Sequence, residues 1–242
     1  MGDRSPVLDL LLEEAPFLER GEYMRLVWGT GEDGTGTAAQ HELAASSFFV
    51  AADDIGELYR LTSAGRAAIV RGRLYVVGGT SPAGLVDSGF VFNLASRRWG
   101  RLPGLGVPRE HLGVAALGGK VYAVGGRTGG LDSNLRTAEA FDPATRRWRR
   151  LRSMPTARGG MAAAAVSGQV VAVGGEGPNG TIRAVEAYRP ATNSWRRLSP
   201  SPRPRHGVAM AGLRGTLYQM LGGPQPGLFV SRTALALRVL RK

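Results

Sequence analysis

Arginine and carboxylate residues recur in this sequence at spacings suited to holding an acidic ligand. Arg109, Arg158 and Arg205 each stand 13 residues before a matching position, namely Tyr122, Val171 and Tyr218. Glu139 and Glu186 take the same place ahead of the aromatics Phe141 and Tyr188. A guanidinium can grip a carboxylate through two parallel hydrogen bonds, so a set of like-placed arginines could hold an acidic peptide or a carboxylate ligand. Repetition argues for a plainer use as well. Buried charge seldom goes unpaired, so Glu139 and Glu186 are expected to be structural partners of the repeated arginines rather than catalytic acids. Residues that differ from one repeat to the next are better placed to give specificity, namely His111, Arg127, Glu176, Asn179 and His206, with Glu110 and Asn134 beside them as further candidates for ligand contact. Within that set Glu176 is the candidate acid or base and Arg127 the candidate carboxylate holder, should the protein be an enzyme.

Other chemistries fit less well. The stretch RLVWGTGEDGTG contains Gly29, Gly31 and Gly34 in the G-x-G-x-x-G order of a dinucleotide-binding turn, with Asp53 or Asp54 about 20 residues on. One strand–helix–strand unit does not make a cofactor domain, however, and the rest of the chain does not alternate strand with helix. No cofactor is expected. The chain has no Cys and only three histidines, His41, His111 and His206, with no paired spacing, so no metal centre is expected either. No G-x-S-x-G elbow and no P-loop lysine are present.

The 242 residues include 36 Gly and 14 Pro but only 7% aromatics, which points to short strands and tight turns. The formal net charge is +12, almost all of it from Arg, since Lys occurs only at 120 and 242. No apolar run is long enough to span a bilayer, and the first residues lack a cleavage site. A soluble, cytoplasmic monomer without a membrane partner is expected.

The elements that must carry these residues are set by an internal repeat. LYVVGG, VYAVGG, VVAVGG and LYQMLGG carry double glycines at Gly78–Gly79, Gly125–Gly126, Gly174–Gly175 and Gly222–Gly223, with second glycines 47, 49 and 48 residues apart. Trp99, Trp148 and Trp195 follow in RRWGRL, RRWRRLR and NSWRRL, spaced by 49 and 47. In the second complete unit, strands are predicted near 111–117, 121–125, 136–141 and 147–151. DPAT, beginning at Asp142, reads as a type I turn between the last two.

A double glycine ending strand two, an aromatic in strand three and a Trp in strand four together resemble the kelch repeat family, over about residues 56–240. The resemblance implies an all-β propeller of four-stranded antiparallel blades around a channel. Independently of it, a single blade buries neither face, so blades must stack, and closing the ring removes exposed ends. Blades are expected near 62–102, 109–152, 158–198 and 205–242. Gly-Gly should provide positive φ and close approach, and Trp should fill the gap between blades.

Residues 48–61 can be laid on 138–151, and 25–30 on 74–79, so residues 21–61 read as a degenerate first unit, making about five. Residues 1–20 would be a closing strand or short helix. The last unit lacks a fourth strand. Alternatives are a four-bladed ring closed by 57–61, or a six-bladed ring truncated at its start.

The resemblance also implies that ligands meet the face bearing the loops from strand four to strand one and from strand two to strand three. On that face Arg109, Arg158 and Arg205 would ring the channel mouth. A protein-interaction or ligand-binding module for acidic peptides or carboxylates is the resulting expectation. The enzyme alternative is a kelch-type sugar epimerase or mutarotase acting on an acidic sugar. The Arg pairs beside each Trp are read as charge that keeps an edge strand from pairing with another sheet, with an acidic partner at the rim as the other reading. Nucleic acid is not the expected partner, because the tryptophans among these arginines already have a packing role.

Overall fold

The computed structural model describes residues 64–81, 83–227, 231 and 233–239. The expected units at 1–20 and 21–61 lie outside the described residues. In the first sheet, β1 (Arg66–Val70) and β2 (Arg73–Val77) precede a small ribbon of β3 (Thr80–Ser81) and β4 (Gly84–Leu85), then β5 (Gly89–Asn93) and β6 (Arg98–Leu102). The second sheet has β7 (Gly113–Leu117), β8 (Lys120–Val124), β9 (Ala138–Asp142) and β10 (Arg147–Arg150). The third has β11 (Ala162–Val166) and β12 (Gln169–Val173), a ribbon of β13 (Glu176–Gly177) and β14 (Gly180–Thr181), then β15 (Val185–Arg189) and β16 (Ser194–Arg197). The fourth holds β17 (Ala209–Leu213), β18 (Thr216–Met220) and β19 (Leu235–Arg238).

Each sheet is an antiparallel meander in chain order, and the four form the blades of a four-bladed β-propeller. The strands predicted for the second unit are present with ends shifted by one or two residues. Blade 4 has three strands among the described residues.

Local chemistry explains the repeat. The first hairpin turns are Arg71-Gly72, Gly118-Gly119, Ser167-Gly168 and Arg214-Gly215, all with positive φ at both positions. Two left-handed residues match the twist of the flanking strands, which is the primed turn that such pairs favour. Asp142 caps its turn by accepting the Ala144 N–H at 2.9 Å, as the DPAT reading requires. The second strands are covered by a neighbouring blade on each face, so β8 and β12 are apolar without alternation. Val121, Ala123 and Val124 are fully buried, as are Val170, Val171, Ala172 and Val173.

The core lies between blades. One cluster joins blade 1 to blade 2 through Tyr75, Leu105, Val121 and Phe141. A second joins blades 2 and 3 through Tyr122, Met154, Met161 and Tyr188, and a third joins blades 3 and 4 through Val171, Val173, Met210 and Leu217. The innermost strands β1, β7, β11 and β17 pack in that order. Burying each large apolar side chain contributes roughly 1.5–3 kcal/mol, so the interfaces hold the blades in place.

Two backbone chains stitch the blades. Gly79, Gly126 and Gly175 donate their N–H groups to the carbonyls of Arg109, Arg158 and Arg205 at 2.9, 2.9 and 2.8 Å. Nearer the axis, His111 donates to Ala64 O at 3.1 Å, Gly160 to His111 O at 2.9 Å, and Gly207 to Gly160 O at 2.8 Å. All four residues of that inner chain are left-handed, with φ of 52, 51, 64 and 58° in the order Ala64, His111, Gly160 and Gly207.

The fourth unit corrects the glycine assignment by one residue. Leu221 and Gly222 have φ of 59 and 80°, in the places of Gly125 and Gly126 at 62 and 99°. A Cβ on Gly222 would come within 2.5 Å of His206 O, just as one on Gly126 would meet Glu110 O at 2.7 Å. Gly223 instead pairs with His206 as Arg127 pairs with Glu110. No residue is added in LYQMLGG: Leu221 replaces the first glycine and Gly223 stands where Arg127 does, so the visible glycine pair is one residue late and a leucine occupies a glycine conformation.

Candidate functional site

Arg109, Arg158 and Arg205 sit in the crossovers leading into β7, β11 and β17. Their exposures are 0, 0 and 2%, so they lie beneath the channel mouth rather than around it. Arg109 donates to Gly125 O and Val107 O at 2.8 Å and to the Glu139 carboxylate at 2.5 Å. Arg158 donates to Ala184 O at 2.5 Å and to Glu186 at 2.9 Å. Glu139 also accepts the Gly106 N–H at 2.8 Å, and Glu186 the Thr156 hydroxyl at 2.7 Å. Burial pushes the Arg158 guanidinium down to about 10, opposed by Glu186 beside it, so it remains charged at neutral pH. Burial lowers Arg109 too, against its bond to Glu139.

These are the arginine–carboxylate pairs expected from the repeat. In blade 4 the carboxylate is missing: Leu235 stands opposite Gln219 where Glu139 stands opposite Ala123. Arg205 turns instead to Leu221 O at 3.0 Å, Thr233 O at 2.6 Å and the Thr233 hydroxyl. Gln219 is fully buried and neither end of its amide has a partner among the described residues.

The mouth is built from the non-repeating loop residues. Arg127 donates through Nε to Glu110 at 3.0 Å and through a terminal nitrogen to Glu176 at 2.9 Å. His111 Nδ1 lies 3.3 Å from Glu110, and His206 Nδ1 lies 3.4 Å from Glu176. Asn134 donates to the Glu176 carbonyl at 2.7 Å. Loops of blades 2, 3 and 4 are thus joined in one network. Burial works to raise the Glu110 carboxyl, but hydrogen bonds and charge from His111 and Arg127 together hold it below the usual range. Asn134 Oδ1 and His206 Nε2 are buried without a partner among the described residues. Asn179 is not part of the network. It lies exposed between β13 and β14.

The exposed cations of this face are residues that the repeat reading passed over. Arg136 and Arg183, each three residues before the buried glutamate of its blade, are exposed, as is Arg203. None makes an ion pair among the described residues. Their signal was present as R-T-A-E and R-A-V-E, 47 residues apart.

The tryptophans act as clamps as well as fillers. Trp148 Nε1 donates to Pro103 O at 2.9 Å and Trp195 Nε1 to Arg152 O at 2.7 Å, each reaching the exit of the blade before. Their rings rest on Phe141 and Tyr188 at 5.3 and 5.2 Å. Trp99 packs on Phe92 at 4.9 Å, but its buried Nε1 has no partner among the described residues.

No group of three or more His, Cys, Asp or Glu residues capable of holding a metal occurs among the described residues. No helix among them is long and apolar enough to cross a membrane.

Repeated four-stranded blades, glycine stitches and Trp clamps define a β-propeller of kelch type. Residues 64–235 match the family model described as the KLHDC2/KLHL20/DRC7 Kelch-repeats domain, and the chain belongs to this kelch-repeat family. Kelch domains generally mediate protein interactions.

Proposed function

We propose that the chain is a protein-interaction module that presents its loop face to an acidic peptide segment or a carboxylate-bearing ligand of a partner. The observation that carries this reading is the set of exposed Arg136, Arg183 and Arg203, without an ion pair among the described residues, in the same connections that supply Arg127, Glu176 and His206 to the network. The network fixes three loops at once, so little loop entropy is lost on binding, and the exposed arginines supply charge-assisted hydrogen bonds. The buried acceptor of Asn134 and ring nitrogen of His206 offer further polar contacts at its centre. Arg109, Arg158 and Arg205 then support the face from below.

The test is binding of fluorescent acidic, neutral and basic peptides at low and high salt. Only acidic peptides should bind, with affinity falling as salt screens the arginines. Arg136→Glu, Arg183→Glu and Arg203→Glu combined should weaken binding by about tenfold or more, since each like-charge contact is penalised. Acidic-peptide binding untouched by all three changes would remove the reading.

A further inference from the structure

A second basic surface lies at the outer rim, away from the loop network. Between blades 1 and 2 is an open groove of about 530 Å³, lined by Pro103 and Val107 of the crossover and by Arg146, Arg147, Trp148 and Arg150 of blade 2. Glu139 forms part of its floor, but both carboxylate oxygens are occupied, by Arg109 and by the Gly106 N–H. The groove therefore has no free acid of its own. Arg147, Arg149 and Arg150 make no ion pair among the described residues.

Charge is divided very unevenly along the chain. Residues 64–242 hold 27 Lys and Arg against 7 Asp and Glu, a formal balance of +20. Residues 1–63 hold 4 against 12, a balance of −8. Of the seven downstream acids, Glu110, Glu139, Glu176 and Glu186 are tied to arginines and Asp142 to Lys120. The remaining carboxylates of the protein are therefore concentrated in its first 63 residues. Within them the run DLLLEEAPFLERGE, from Asp9 to Glu22, has five acids against one arginine, interleaved with leucines and a phenylalanine.

We propose that the rim groove between blades 1 and 2 is a docking site for this chain's own acidic N-terminal segment. Carboxylates of the 9–22 run meet Arg146, Arg147 and Arg150, and its apolar side chains meet Trp148, Val107 and Pro103. Tethering raises the local concentration of the segment to the millimolar range, so individually weak contacts suffice. Desolvated guanidinium groups favour carboxylates geometrically as well as by charge. The segment covers an arginine-rich edge that would otherwise attract any polyanion.

The absence of native Cys gives a clean background for the test. In the full chain, the pair Glu14→Cys with Arg150→Cys is oxidised mildly and compared with Glu14→Cys paired with Asn179→Cys on the exposed loop face. The expected result is an intramolecular disulfide at position 150 forming about tenfold faster than at 179, with the advantage lost in roughly 1 M salt, where charge is screened. Equal rates at the two positions overturn the proposal, and disulfide-linked dimers overturn it in favour of a second copy. A second measurement needs no substitution: amide exchange in residues 9–22 should accelerate between low and high salt, and unchanged exchange overturns the docking. Neither readout depends on peptide binding at the loop face, so the two readings fail separately.

Discussion

Arg158 and Glu186 meet at 2.9 Å with neither side chain exposed to solvent. Both make further hydrogen bonds, Arg158 to the carbonyls of Ala184 and Gly174 and Glu186 from Thr156, while Arg158 Nε has no partner among the described residues. A buried ion pair is expensive to break and contributes less to stability than its geometry suggests, because removing one partner leaves the other uncompensated.

Glu186→Ala should therefore lower the unfolding free energy by about 3–5 kcal/mol, whereas Arg158→Met with Glu186→Leu should fall far closer to wild type. Urea unfolding of the three proteins measures this. Equal losses in single and double variants would show that the pair is not the source of the cost.

Blade 4 tests the same position without a pair. Gln219→Met removes a buried amide that has no partner among the described residues while keeping its volume, and should raise stability by about 1–3 kcal/mol. A thermal melt that moves down instead would reveal a bond made by that amide.

Leu221 occupies a left-handed conformation that glycines take in the other blades. Leu221→Gly should stabilise by up to about 1 kcal/mol, the relieved strain exceeding the entropy cost of the added glycine. The leucine is 49% exposed, so little packing is lost. A denaturation midpoint that falls contradicts this.

Trp148→Phe and Trp195→Phe each lose a hydrogen bond to a carbonyl, while Trp99→Phe loses none within the described residues. The first two should cost about 0.5–1.5 kcal/mol more than the third. Parallel urea curves decide the order.

The lowered Glu110 carboxyl has a defined sign in acid. Its contribution is fully present above its ordinary value of 4.5 and is lost as pH falls through the lowered folded value. The wild type should lose stability between about pH 5 and 3 more steeply than Glu110→Gln, because only the wild type must take up that proton. Coincident pH profiles would mean that His111 and Arg127 do not hold the carboxylate.

The hairpins and the Arg109–Glu139 and Arg158–Glu186 pairs were legible in the sequence, because repetition puts each residue in register with its copies. Depth was not. The 13-residue spacing locates Arg109 along the chain, but only the local bend turns its guanidinium inward to Glu139, below the mouth that the spacing suggested. The Arg127 network was illegible for the opposite reason: loops differ between blades, so no copy marks Glu110, Glu176 and His206 as neighbours. Arg136 and Arg183 did repeat, yet exposed charge beside a buried acid carries no packing signature. In the last unit Leu221 replaces the first glycine and Gly223 replaces the arginine that follows the pair, so the visible Gly-Gly and the conformational pair diverge.

The inner chain through Ala64, His111, Gly160 and Gly207 links each unit only to the next. Such coupling resembles a one-dimensional lattice, in which opening one link loosens its neighbours before distant ones. His111 and Gly160 each both donate and accept within the chain. Their amides should be slower to exchange than that of Gly207, so opening of the axis spreads inward toward the second and third blades.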